Sequence, residues 1–273
     1  MNIEPERRRR IARQHLATSQ LLGVDFIPVG RTASSASSDG SSAPIDSSDA
    51  AGGASPVASV AGSLFAASDP APPSPPELAP DQKHAALEEL RARHDAQCPH
   101  CTTARGHTRT VFGEGDADAA LIFIGEAPGA EEDRTGRPFV GAAGKKLDQM
   151  IEAMGLRREQ VYIANILKSR PPDNRTPLGP EIDGCSPFLA EQVRIIRPRV
   201  IVALGSPAAK FVLRTNEGIT RLRGQFATYV DGTLRIAVMP TFHPAYLLRN
   251  YTVDTRTKVW ADMQAVMARL ALS

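Results

Sequence analysis

From residue 119 onward, short apolar runs alternate with longer amphipathic segments, and this alternation constrains the fold more than any other property of the chain. Strands are expected at 119–125, 160–166, 199–204 and 235–240, where β-branched and aliphatic residues cluster. Helices are expected at 143–154, 180–196, 206–214 and 254–271. A charged amphipathic helix precedes them at 83–97, with Ala86, Leu87 and Leu90 on one side. Alternation of this kind predicts an α/β fold in which helices cover both faces of a parallel sheet. Such sheets bind ligands at the carboxyl edge of their strands.

The upstream sequence has a different character. Between Thr32 and Pro80, Ala, Ser, Pro and Gly dominate, with few large apolar residues beyond Ile45, Leu64, Phe65 and Leu78. That stretch cannot bury enough apolar area to offset its conformational entropy, so a disordered linker is expected. The chain therefore divides into a basic N-terminal helical segment (1–31), the linker (32–82) and one domain (83–273). In the first segment Ile11, Leu16, Leu21 and Leu22 fall at helical spacing against a basic face. Two readings follow: a partly ordered tail, or a peptide that folds on a protein partner. Residues 1–90 hold 7 of the 32 basic and 11 of the 30 acidic residues, which leaves 91–273 with a net charge of +6. An excess of that sign suits a polyanionic partner. No run approaches the roughly 18–20 apolar residues of a membrane span. Arg7-Arg8-Arg9-Arg10 has no apolar core behind it that would make a secretory signal. Three cysteines argue against a disulfide framework, and a reducing cytoplasm is the expected compartment.

The residues that carry chemistry gather where the expected strands end. The first strand runs into Gly125-Glu126-Ala127-Pro128-Gly129 and on to Gly141, a Gly/Pro-rich loop with the acidic run Glu131-Glu132-Asp133. A phosphate cradle would carry a lysine and no acids, so a triphosphate is not the expected ligand. Glu126, one residue past the strand, is placed to orient a water or a neighbouring side chain. Phe139 is either a core residue or a flat ring that stacks a base. Asn165 ends the second strand, and its amide offers the donor and acceptor that match O4 and N3–H of a pyrimidine. His243-Pro244 follows the fourth strand and leads into Leu247, Leu248 and Arg249, bulky residues of the kind that enter a base step. Cys98-Pro99-His100-Cys101, with Cys185 far downstream, supplies three thiols, one short of a closed zinc or iron–sulfur site.

Taken together these residues closely resemble the family 4 uracil-DNA glycosylases, the iron–sulfur branch of that superfamily. The resemblance spans about 98–270 and rests on several motifs in the family's order. They are the Gly125-Glu126-Ala127-Pro128-Gly129 loop through Thr135-Gly136-Arg137-Pro138-Phe139-Val140-Gly141, then Asn165 with Lys168 and Arg170-Pro171-Pro172. Asn174-Arg175-Thr176-Pro177, Arg197-Pro198, Ile201-Val202-Ala203-Leu204-Gly205 and His243-Pro244 follow. The resemblance implies a three-layer α/β/α sandwich around a mainly parallel four-stranded sheet. It also implies a monomeric, monofunctional hydrolase that flips deoxyuridine out of DNA, cleaves its N-glycosidic bond and leaves an abasic site. Phe139 would stack on the uracil and Asn165 would read its Watson–Crick edge. His243 would donate to O2, and Glu126 would position water near the sugar C1′. Glu132 and Asn174 would support each other and the pocket, while Leu247 or Leu248, with Arg249, would form the DNA wedge.

One position departs from the family, which holds a [4Fe–4S] cluster with four cysteines. Cys98, Cys101 and Cys185 match three of them, and Ser169 stands at the fourth. Three outcomes are open: a cluster with a labile or serine-bound iron, a cluster completed by His100 or His107, or no cluster. Two other functions are weighed against uracil excision. One is a DNA-polymerase- or repair-associated nucleic-acid-binding adaptor on the same fold. The other is a glycosylase for another deaminated base.

Overall fold

The structure, a computed structural model, describes residues 78–271. The expectations for 1–31 and for most of 32–82 therefore lie outside the described residues. The elements run α1 (Pro80–Gln97), β1 (Glu114–Gly115), β2 (Leu121–Gly125), α2 (Ala130–Thr135), α3 (Ala142–Ala153), β3 (Tyr162–Asn165) and α4 (Gly179–Ile196). They continue with β4 (Val200–Leu204), α5 (Gly205–Leu213), α6 (Ile219–Leu222), β5 (Ala227–Asp231), β6 (Leu234–Thr241), α7 (Pro244–Arg249) and α8 (Val253–Ala271).

The sheet has six strands in the order β1-β3-β2-β4-β6-β5, two more than the four expected. The inner four, β3, β2, β4 and β6, are the expected strands and run parallel. The two additions pair antiparallel at the edges. β1 is two residues long, too short to leave a periodic signal. β5 was legible in principle: its residues alternate in burial, and Asp231-Gly232, with Gly232 at φ 58°, turns it into β6.

Side-chain alternation along the buried strands builds the three layers. Leu121, Phe123, Ile163, Val200, Val202 and Met239 face one way, onto Leu147, Met150 and Ile151 of α3 and Trp260, Met263 and Val266 of α8. Ile122, Ile124, Ala164, Ile201, Ala203 and Val238 face the other, onto Leu87 and Leu90 of α1, Leu189 and Val193 of α4 and Ala208 and Val212 of α5. A sheet apolar on both faces cannot meet water on either, which is why its strands read as continuous apolar runs. α1 is also pinned electrostatically: Lys83, almost wholly buried, donates to Asp118 at 2.6 Å and to the Ile196 carbonyl at 3.1 Å. The helix begins at Pro80, three residues ahead of the 83–97 helix expected from the sequence. No helix among the described residues is long and apolar enough to cross a membrane.

Candidate active site

The chain leaves β2 toward β3 on one side and leaves β4 toward β6 on the other. The carboxyl ends of β2 and β4 therefore flank the point where the strand order reverses, the place where open α/β sheets form a crevice. A cleft of about 670 Å³ opens there, and Glu126, Phe139, Asn165, Asn174 and His243 all line it. The four inner strands thus bring together residues separated by as much as 117 positions in sequence.

The loop after β2 is shaped by Glu132. Its Oε2 accepts from the Gly129 N–H at 3.1 Å, and its Oε1 accepts from the N–H groups of Val140 and Gly141 at 2.9 and 3.0 Å. One carboxylate thereby closes the loop on itself and caps α2. The mutual support expected of Glu132 and Asn174 is replaced by separate anchors, since the Asn174 Oδ1 accepts from the Arg170 Nε at 2.7 Å. Phe139 is held in the left-handed region at φ 51°, with its carbonyl and that of Pro138 both accepting from Arg158. Arg158 in turn pairs with Asp148 at 2.7 Å and Glu114 at 3.0 Å. Nothing in the sequence pointed to Arg158; its neighbours at the clamp are far away in the chain.

Gly125 lets the pocket exist. A Cβ there would overlap Asn165 Oδ1 and lie 2.6 Å from Phe139 Cζ. The amide and the ring therefore sit directly over a bare backbone. Asn165 is nearly fully buried, and its Oδ1 has no protein hydrogen-bond partner. A buried acceptor without a partner costs about 1–3 kcal/mol, a penalty a bound donor would remove. Glu126 Oε1 is likewise buried and unpartnered, and desolvation pushes its pKa above the ordinary carboxylate value.

His243 caps the six-residue α7, with its Nδ1 accepting from the Ala245 N–H at 3.1 Å. That bond fixes the tautomer that carries its proton on Nε2. Burial, assisted by the Arg249 charge, lowers the imidazole to about 4, so the ring is neutral at pH 7 and a hydrogen-bond donor. Gly205, at φ 88°, permits the close approach of this residue: a Cβ there would lie 3.0 Å from the His243 Cβ. Two residues upstream, at the end of β6, Thr241 donates to Asp262 at 2.6 Å, and Arg223 pairs with the same carboxylate. The wedge expectation is corrected for Leu247, which is 3% exposed and packs in the core cluster with Met150 and Trp260. Leu248, 45% exposed, and Arg249 face outward.

The model of the uracil-DNA glycosylase superfamily matches residues 112–264, more than half of the chain and the whole of this site. This chain belongs to the uracil-DNA glycosylase superfamily. Among its relatives, the Type-4 uracil-DNA glycosylase of Thermotoga maritima is 44% identical over 179 residues, 65% of this chain and 92% of that protein. The corresponding enzyme of Sulfurisphaera tokodaii is 46% identical over 158 residues, 56% and 72% of the two chains. That of Archaeoglobus fulgidus is 39% identical over 178 residues, 64% and 88%.

This superfamily member has a second cluster of reactive side chains behind the cleft. The donor atoms of His94, Cys98, Cys101 and Cys185 all lie within 4.8 Å of one another and are buried. Cys101 and Cys185 are closest, with Sγ atoms 3.6 Å apart. Three thiols and an imidazole are a donor set compatible with an iron–sulfur cluster. Ser169 Oγ approaches Cys101 Sγ at 3.5 Å but also bonds His100 Nε2 at 3.1 Å. In the one outcome that called on a histidine, His100 or His107 was the candidate; it is His94 that converges on the thiols. The signal was present as a His-x-x-x-Cys spacing at the end of α1, masked by the charged character of that helix. The centre touches the cleft through one loop. The Lys168 N–H donates to Cys185 Sγ at 3.1 Å, and the buried Lys168 Nζ donates to the Asn165 carbonyl at 2.9 Å.

Proposed function

We propose that the cleft excises uracil from DNA, hydrolysing the N-glycosidic bond of a flipped deoxyuridine and leaving an abasic site. One observation carries the reading. An unpartnered buried amide oxygen on Asn165 and a neutral His243, its free Nε2–H a donor, line the same cleft beside the Phe139 ring. Those are an acceptor for N3–H, a donor for O2 and a stacking surface, the complement of a uracil edge and face.

The chemistry follows from where charge develops. Uracil departs as an anion and leaves an oxocarbenium-like sugar. The His243 Nε2–H donates to O2 as that oxygen becomes negative, and a neutral donor already in place costs no reorganisation at the moment of reaction. Glu126 stands at the mouth of β2, where its carboxylate faces the positive sugar and orients the attacking water. Asn165 accepts from N3–H and donates to O4, which selects uracil over bases with a different edge. Leu248 and Arg249 fill the gap left by the extruded nucleotide. Cys98, Cys101 and Cys185 would hold an iron–sulfur cluster whose contribution is structural, bracing the Lys168 loop behind Asn165. The domain acts as a monomer in the cytoplasm, on the cell's DNA.

The test is strand cleavage by alkali after incubation with end-labelled single-stranded oligonucleotides containing uracil, hypoxanthine or xanthine. Uracil is the expected substrate, and His243→Ala should lower the rate on the order of 100–1,000-fold. Asn165→Ala should lower kcat/KM roughly 10–100-fold, the worth of about 1–3 kcal/mol of buried hydrogen bonding. Turnover by both variants at the wild-type rate, with both folded, would sink the site assignment. DNA binding without excision of any base would point to the adaptor instead.

A further inference from the structure

We propose that His94 Nε2 is the fourth protein ligand of a thiophilic metal centre completed by Cys98, Cys101 and Cys185, and that Ser169 stands outside its coordination shell. The inference does not depend on which base the cleft removes.

The imidazole is prepared for this role on both sides. His94 Nδ1 lies 2.9 Å from Asp95 Oδ1, and that carboxylate also accepts from Thr110 Oγ1 at 2.9 Å. When Nδ1 donates to Asp95, Nε2 is the nitrogen left to coordinate. That atom is buried and has no protein partner. Carboxylate-oriented histidines of this kind are the usual metal ligands, because the outer hydrogen bond fixes both tautomer and ring orientation. The ring plane is fixed further by Phe188, edge-on at 4.9 Å between centroids, and by Phe112 at 5.7 Å.

Helix geometry brings His94 to the thiols. Cys98 is the residue after α1, and its N–H donates to the His94 carbonyl at 2.9 Å, so the two side chains stand one turn apart on the same face. The Cys98-x-x-Cys101 turn then closes, with the Cys101 N–H donating to Cys98 Sγ at 3.4 Å. Cys185 arrives from α4 with the Lys168 N–H on its sulfur. Backbone N–H groups thus point at two of the three sulfurs.

Ser169 is a poorer candidate on chemical grounds. A hydroxyl must lose a high-pKa proton to bind a soft metal strongly, whereas a neutral imidazole binds as it is. Its oxygen is already engaged with His100 at 3.1 Å. The chain thus lacks the fourth cysteine of the family pattern and supplies a histidine from a different element. The same donors suit an iron–sulfur cluster or a single zinc ion. The tetrahedral edge for Zn–S bonds of about 2.3 Å is about 3.8 Å. Cys101 and Cys185, at 3.6 Å, already stand close to that edge and would spread to surround a four-iron cluster.

The experiment uses the full chain purified anaerobically, with iron, zinc and acid-labile sulfide measured per protein and metal loss followed under a chelator. The wild type should carry one centre: iron with sulfide and visible absorption marks a cluster, and zinc without sulfide marks a single ion. Either supports the ligand assignment when His94→Ala retains metal at least roughly tenfold less well while Ser169→Ala retains it as the wild type does. His94→Cys, which restores four thiolates, should keep the metal and guards against a merely unfolded alanine variant. If the centre is iron–sulfur, histidine labelled with ¹⁵N should give nitrogen hyperfine coupling in its reduced form, and His94→Cys should abolish it. A metal-free wild type overturns the proposal, as does metal lost from Ser169→Ala but kept by His94→Ala.

Discussion

Phe139 and His243 face each other across the cleft with ring centroids 5.7 Å apart and planes inclined by 35°. One ring is fixed by the Arg158 clamp and the other by the cap of α7, so neither is free to close on the other. In the proposed pose, a base stacked on Phe139 would meet the His243 donor at its edge. The geometry of the pair therefore rests on backbone constraints some distance from the chemistry.

Gly125→Ala tests those constraints directly. Its Cβ would overlap Asn165 Oδ1 and lie 2.6 Å from Phe139 Cζ, and the backbone of Phe139 is held against retreat by Arg158. A displacement on the order of 1 Å at reacting groups costs about 100-fold in rate. Single-turnover excision by a folded Gly125→Ala protein should fall by about that factor. A wild-type rate would mean that the amide and ring do not need their present positions.

Leu247 and Leu248 are adjacent yet should behave as opposites. Leu247→Ala removes a buried core side chain and should cost about 2–5 kcal/mol in chemical denaturation. Leu248→Ala should leave stability within about 0.5 kcal/mol. It should slow excision from double-stranded DNA more than from single-stranded DNA, because only a duplex needs its gap filled. Equal loss on both substrates would remove Leu248 from the wedge role.

The pH dependence separates His243 from Glu126. His243 is lowered from 6.5 to about 4, so between those values the unfolded chain binds a proton that the folded chain refuses. Stability should accordingly be flat above about pH 6.5 and fall as pH drops toward 4, by at most on the order of 3 kcal/mol. His243→Asn should flatten that part of the denaturation-versus-pH curve. The acid limb of kcat should instead report Glu126, whose pKa burial raises above 4.5, because the carboxylate must be charged to face the sugar cation. A limb near the ordinary histidine value, 6.5, that persists in Glu126→Gln would contradict the lowered pKa of His243.

Removal of residues 1–77 should leave excision of uracil from a short oligonucleotide within about twofold, since no cleft residue precedes Glu126. Removal of 1–83 should not be equivalent. It takes the first turn of α1 with Lys83, whose bonds to Asp118 and to the Ile196 carbonyl are lost. Comparing the two truncations by thermal melting and by turnover places the functional boundary.

The sequence by itself determined the sheet and its chemical rim. Apolar runs of strand length, separated by helical periods, specify the inner four parallel strands, because burial on both faces demands continuous apolarity. Glu126, Asn165 and His243 were legible because each stands at, or within two residues of, the end of such a run. Tertiary structure decided the rest, because it depends on which side of a short element turns inward and on residues distant in the chain. Periodicity cannot resolve the facing of a six-residue helix, so Leu247 became core and Leu248 surface. Glu132, expected to support the pocket, accepts from three backbone N–H groups that only the closed loop gathers. Arg158 earned no notice until its partners surrounded it. The missing cysteine at Ser169 was plain in the sequence. That His94 fills its place became visible only once α1, the Cys98–Cys101 turn and α4 packed their donors within 4.8 Å.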